Sequence, residues 1–338
     1  MFLGATGLRS HIWNNNLKSV LLLAGFPVLL VAVGYALTIM MTGFQPVDPG
    51  MGKGGGPDNI FVSELARLPM IGLWSLGAAG IWFVIAWFFH QSIINAATGA
   101  RPVERTDEPE LYNLLENLCI SRGLTMPNLA VIETSALNAY ASGLREGQYT
   151  VTVTRGLMDR LDRAELEAVL AHELSHIRHK DVRLLVISVI FVGIISFVAE
   201  IIFRRILWMG LRGGGGRRGG RGGALVVALA VAIIAIAYLL AIVIRFTLSR
   251  RREYMADAGA VELTRNPDAM ISALEKISGH AEIEDSPDEV REMFIENPKT
   301  GFLGVFATHP PIEKRIDMLV EYAGGKRRKP VSSVPTSG

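Results

Sequence analysis

Residues 166–197 read LEAVLAHELSHIRHKDVRLLVISVIFVGIISF, a helical pattern with two histidines and a glutamate that runs within a few residues into a stretch apolar enough for a bilayer. Asp162 followed by Glu165 predicts a capping-box start, and Leu166, Val169, Leu170, Leu174 and Ile177 recur at helical spacing, so the segment reads as a helix with a buried stripe. His172 and His176 stand four apart and project from one face, one turn from each other, while Glu173 points to an adjacent face. Two neutral imidazoles so placed suit Zn²⁺ at about 2.0 to 2.1 Å, and the glutamate between them can serve as general base toward a water that the ion acidifies to a pKa of about 7.

HExxH also arises by accident in something on the order of one chain of this length in a hundred, so the pattern needs a third ligand to carry weight. The same helix does not supply it at the eleven-residue position, where Val182 stands. His179 is the near alternative, but the helix carries it away from an ion shared by the first pair, which leaves it a solvated or interfacial side chain. SRRREYMADAGAVELT offers Glu253 and Asp257, again four apart, amid Ala256, Ala258, Gly259 and Ala260, whose small size would let this helix lie close against the first. Glu253 could then be a ligand and Asp257 the acceptor that orients a zinc histidine; the bland alternative is an exposed ExxxD face neutralised by the adjacent arginines.

Half of the 338 residues are hydrophobic and only 20% are charged, a balance that leans away from an ordinary soluble protein. The single cysteine, Cys119, excludes an intramolecular disulfide and reads as a small buried hydrophobe. A formal charge of +2 does not suggest a nucleic-acid groove. The expected organisation is an N-terminal segment at 1–18, spans at 19–43 and 69–95 separated by a loop at 44–68, and a first catalytic part at 96–183. Further spans at 184–203 and 224–244 flank a Gly/Arg-rich loop at 204–223, and a second catalytic part at 245–325 precedes a disordered basic tail at 326–338. The span at 184–203 is the least clear, because Glu200 interrupts it; with Arg204 four residues on, Glu200 reads as an interfacial ion pair. The N-terminus lacks the pattern of a cleaved secretory signal, so the first run reads as a retained anchor. The Gly/Arg-rich insert fits a flexible linker, and an RNA-binding reading lacks the aromatic residues that would support it.

Within the first catalytic part, EPELYNLLENLCISRG reads as a helix, and NLAVIE, LNAYASG and QYTVTVTRGL as short strands. If both spans around the Gly/Arg-rich loop cross, Glu253 returns to the side of His172 and His176, and a shared metal becomes possible. An odd number of crossings forbids it.

Taken together, AVLAHELSHIRHKD, the apolar hairpin after it, SRRREYMAD and ATHPPIEKRI resemble the M48 metallopeptidases, and within them the HtpX-type branch of membrane heat-shock proteases. The likeness covers nearly the whole chain. It implies an α+β, zincin-like minidomain, mostly helical with a small edge-exposed sheet, joined to four transmembrane helices. It implies one Zn²⁺ held by His172, His176 and Glu253, with Glu173 as catalytic base and Asp257 in support. By the same likeness His309 would help stabilise the oxyanion, although a histidine before two prolines otherwise reads as a turn residue, and Arg315 would assist it. Asn138, Ala139, Tyr140 and Ala141 would form the edge on which a substrate backbone pairs, a mode that binds many sequences.

The expected function is therefore an integral-membrane zinc endopeptidase acting on unfolded or misfolded membrane proteins, with the lipid bilayer and no nucleic acid as its other partner. Arg9 and Lys18 ahead of a loop with few positive charges argue for a multi-pass protein of the bacterial inner membrane whose active site faces the cytoplasm. Two alternatives stay open at this stage: a prenyl-protein (CAAX-type) endopeptidase of the same family, which would need a larger intramembrane chamber, and a membrane scaffold or transporter with an accidental HExxH.

Overall fold

The computed structural model describes residues 65–187, 251–283, 293–296 and 310–327, with shorter pieces within 17–38 and 200–232. The chain divides into two compact units, one made of Met1–Asn15, Gln91–Val186 and Leu248–Gly338, the other of Asn16–His90 and Ile187–Thr247.

Helix α1, Leu68–Thr98, has 31 residues and no charged residue along its length. At 1.5 Å per residue it extends about 46 Å, more than the ~30 Å of a bilayer's hydrocarbon. Among the described residues it is the one helix long and apolar enough to cross a membrane, and it covers the expected span at 69–95. Leu73, Trp74, Ile81, Val84, Phe88 and Phe89 stand exposed along it, an apolar surface of the kind that marks a membrane or partner contact. At 19–43 the described residues include the shorter apolar helix Pro27–Ala36, in which Gly34 leaves room for Ile71 and Ser75 of α1; a Cβ there would meet both at 3.1 Å. Apart from a few positions, the segments expected to span at 184–203 and 224–244, the Gly/Arg-rich loop and the tail lie outside the described residues. Among those positions, Glu200 and Arg204 do pair, and both are exposed.

The other unit is mostly helical around one small sheet. Strands β1 (Arg101–Val103), β2 (Asn128–Ile132), β3 (Ala139–Ser142) and β4 (Thr150–Thr154) lie in the order β1-β2-β4-β3, with β2 and β4 parallel and the outer strands antiparallel to their neighbours. Pro102 is tolerated because β1 is an edge strand. Helix α2 (Pro109–Arg122) ends at Gly123, whose φ of 62° is the left-handed conformation that glycine adopts without strain. Leu111, Leu115 and Leu118 of α2 join Leu129, Val131, Val151 and Val153 of the sheet in one core. Cys119 is buried there, its thiol pushed up to about 11 by burial and by Glu116, as expected of an inert hydrophobe.

A short helix, α3 (Arg155–Arg160), leads into α4 (Arg163–Arg178), which carries the quoted motif. Its capping box is formed: Asp162 accepts the Glu165 amide at 2.9 Å, and Glu165 accepts the Asp162 amide at 2.8 Å. Glu165 also accepts Ser272 Oγ at 2.6 Å and pairs with Lys276 at 2.5 Å, which ties the start of α4 to α6 (Pro267–Ile277). Burial on α4 extends beyond one stripe, since Ala168 through His176 are all buried. The reason is a second cover: α5 (Arg251–Thr264) lies across the histidine face. The small residues make that approach possible. A Cβ on Gly259 would stand 2.4 Å from Ser175 Oγ, and Ala256 and Ala260 are fully buried beside it, whereas Ala258 points outward. Helix α7 (Ile312–Ala323) closes the unit against α5 and α6.

Candidate metal centre

Because α4 is regular and α5 crosses it at Gly259, three side chains from 81 positions of separation in sequence arrive at one point. His172, His176 and Glu253 are all buried, and each offers a ligand atom within 4.8 Å of the other two. The two Nε2 atoms are 3.2 Å apart, and each lies 3.7 Å from a Glu253 carboxylate oxygen. Ligand atoms bound tetrahedrally at 2.0–2.1 Å stand about 3.3 Å apart, so the spacing fits one small divalent ion.

The outer nitrogens of both imidazoles face carboxylates. His172 Nδ1 lies 2.9 Å from Asp257 Oδ1, and His176 Nδ1 lies 3.3 Å from Asp181 Oδ2. Each ring therefore donates its Nδ1 proton outward and keeps the Nε2 lone pair for the cluster, the arrangement that raises ligand basicity and fixes orientation. Burial works to lower the pKa of His176, but the charges of Glu253 and Asp181 outweigh it and push the ring up to about 10. Such a field favours a positive charge at this spot, which a cation supplies when the imidazole is neutral.

Glu173 is 2% exposed and lines the same small cavity as the three candidate ligands. Burial raises its carboxyl above the ordinary value, with His172 and His176 partly opposing. That direction suits a group that must accept a proton and give it back.

Asp257 does not act alone. Arg315, 0% exposed on α7, grips it with two bonds, Nε to Oδ2 at 2.9 Å and Nη2 to Oδ1 at 2.6 Å. Burial would raise the Asp257 pKa, but the guanidinium beside it holds the carboxyl below its usual range. The same guanidinium gives a third bond to the Ile295 carbonyl at 2.9 Å, lies 3.4 Å from the His172 ring and has Nη1 3.8 Å from Glu253 Oε2, so Arg315 packs against two of the three candidate ligands. His309 lies outside the described residues.

The edge strand is where the structure departs furthest from expectation. Asn138, Ala139, Tyr140 and Ala141 are all buried, because residues 293–296 cover the outer side of β3. Asn138 spends its side chain inside the chain, donating to the Ala281 and Glu296 carbonyls and accepting the Ala139 and Ile295 amides. Tyr140 places its hydroxyl 3.0 Å from Thr98 Oγ1. Of the two readings of His179, solvated or interfacial, the solvated one does not hold: it caps α4 and is buried, with Gly259 of α5 close to its ring.

Asp181 is the site residue that sequence reasoning missed. In an unbroken helix, five positions beyond His176 would point about 140° away from it. Lys180 breaks the helix with a φ of 59°, and the turn brings Asp181 back onto the imidazole. Replacing Asp181 by Ala is expected to weaken metal binding about 10- to 100-fold with the fold retained. Competition against a chelator of known affinity measures this, and unchanged affinity would remove Asp181 from the centre.

A buried HExxH helix, a carboxylate from a second helix completing the cluster and a base beside it define a metallopeptidase. Residues 105–323 match the model of Peptidase family M48, and the chain belongs to that family. A protein named Protease HtpX homolog from Bacteroides fragilis is 42% identical over 324 residues, covering 94% of this chain and 99% of its own length. Another of the same name from Listeria monocytogenes is 34% identical over 323 residues, covering 92% and 99%. Among solved structures, S. mikatae Ste24p aligns with a TM-score of 0.46 at 20% identity, over 79% of this chain and 63% of that one.

Proposed function

We propose that this metallopeptidase is a zinc-dependent endopeptidase of the bacterial inner membrane, which cleaves misfolded or damaged membrane proteins with its active site facing the cytoplasm. The observation that supports the reading best is the joint approach of His172, His176 and Glu253, with a carboxylate behind each histidine. Two imidazoles and one carboxylate in a closed site suit zinc with one position left open. Zinc bound there would supply Lewis acidity toward a scissile carbonyl and a water.

The chain's own residues do the rest. His172 and His176, through Nε2, and Glu253 would hold the ion, the imidazoles oriented by Asp257 and Asp181. Glu173 takes the proton of the attacking water and returns it to the departing amine. His309, ahead of α7, would steady the oxyanion, and Ala139 to Ala141 would offer backbone groups to the substrate once their edge is free. The proposed spans on either side of the catalytic parts keep the enzyme at the bilayer, so that unfolded segments of membrane proteins meet it there. Purified in detergent, the chain should carry about one zinc per molecule and lose casein cleavage on chelation, with recovery when zinc returns. A preparation that cleaves at full rate without bound metal would defeat the reading.

A further inference from the structure

Residues 293–296 return from a distant part of the sequence to the one place a substrate needs. Strand β3 ends the sheet, so its side away from β4 is the edge open to pairing. That edge is taken. The Ile295 amide donates to the Ala139 carbonyl at 2.9 Å and lies 3.0 Å from Asn138 Oδ1. Asn138 Nδ2 donates to the Glu296 carbonyl at 3.1 Å, and Arg315 Nη1 donates to the Ile295 carbonyl. The Phe294 ring packs on Tyr140 with centroids 5.5 Å apart.

Met293, Phe294 and Ile295 also wall in the metal cluster. With Ala141, His172, Glu173, His176 and Glu253 they enclose a cavity of about 10 Å³. One water needs about 10–15 Å³ of such space, so the cavity admits a water at most and no peptide. The segment is itself bent, in turn and bend conformations. It therefore fills the site without lying across it as an extended chain, the form in which an edge strand receives a partner.

We propose that Met293–Glu296 is a displaceable plug, and that the substrate is an extended segment with a bulky apolar side chain that takes over the Ala139 carbonyl and the Tyr140 ring as the plug leaves. The proposal rests on the peptidase reading above. Phe294 and Ile295 are buried apolar groups, so opening exposes hydrophobic surface, and only a segment that buries a comparable side chain restores it. Unfolded chains present such segments and folded ones do not. The plug thus explains how a site that binds backbone with little regard to sequence spares intact proteins.

The test uses the full chain, zinc-loaded, in detergent micelles, with two variants: Phe294→Ser, which removes the ring from Tyr140, and Ile295→Pro, which removes the amide donated to Ala139. If the open form is the minor one, destabilising the plug raises its share directly, and kcat/KM on casein should rise about tenfold in both variants. The rate at which a chelator strips zinc should rise with it, a readout that does not need catalysis. Wild-type enzyme should also prefer a peptide with Phe over its Ser analogue by about tenfold or more. Wild-type rates of cleavage and of zinc release in both variants, with zinc content intact, would overturn the plug and leave the peptidase assignment standing. So would lower activity at full zinc content, or loss of zinc from both variants, since either makes the segment part of the site's framework. Indifference to Phe or Ser would overturn the substrate class. A wild-type chain with neither zinc nor cleavage would instead bring down the reading beneath.

Discussion

Glu173→Gln is expected to lower kcat/KM by about 10²- to 10⁴-fold while zinc content and thermal stability stay near the wild-type values. The side chain keeps its size and its place in the cavity beside His172, His176 and Glu253, so the cluster loses no candidate ligand. What it loses is a group able to accept a proton. Burial already raises the Glu173 carboxyl, which places its two protonation states closer in energy than those of an exposed carboxylate. The amide has no such second state. Stability should not fall, because an ionised carboxylate at 2% exposure is expensive to bury and the neutral amide removes that penalty. The comparison needs single-turnover rates alongside metal analysis. A variant that retains zinc and full activity would show that another group takes the proton, and one that loses zinc would move Glu173 among the ligands.

What the sequence made readable here was local. The capping box, the His172 and His176 pair and the Glu253 and Asp257 pair all depend on spacings of three or four within one helix, which a regular 3.6-residue turn converts directly into direction. Ala256, Gly259 and Ala260 made the close crossing of two helices legible as well, because only small side chains leave such room. The unread features all depend on something other than regular spacing. Strand β1 is three residues long and contains Pro102, which argues against a strand unless the strand is known to be an edge. Asp181 faces His176 only because Lys180 takes a left-handed conformation, a choice that lysine rarely makes and that no composition signals. The cover over β3 joins Asn138 to Ile295 across 157 positions, so the four residues expected on an open edge are buried by chain that periodicity cannot place.

Arg315 is fully buried and holds Asp257 with two bonds, and replacing it should have the second large effect. Arg315→Met is expected to destabilise the catalytic unit by about 3–5 kcal/mol, because it leaves the buried Asp257 carboxylate without its cation. For a unit of this size that is a fall in Tm of roughly 10 °C. Metal affinity should fall as well. Asp257 receives the Nδ1 proton of His172, and an aspartate freed from its clamp can rotate or protonate and no longer fix that ring. Asp257 is held below its ordinary pKa in the folded state, so the stabilisation from ionising it is present above the unfolded value and is lost as pH falls through the folded one. In the variant the larger part of that depression is lost, with only His172 left to oppose burial, and acid unfolding should begin at higher pH. The double variant Arg315→Met, Asp257→Asn removes both charges and should recover part of the stability, giving a coupling energy well outside additivity. Zinc affinity should not recover with it, since an amide is a weaker acceptor for the imidazole proton than a carboxylate. An arginine that instead steadies the oxyanion would give the opposite pattern, with kcat reduced at unchanged Tm and unchanged zinc. Arg315 gives three bonds, two to Asp257 and one to the Ile295 carbonyl, from a guanidinium with no solvent exposure, and this geometry favours the structural outcome. The same bonds connect the support of the metal centre to the segment that covers it. A clamp that holds both is a reason for the two to loosen together, so the rate of zinc release should rise in Arg315→Met even where the melting curve remains cooperative.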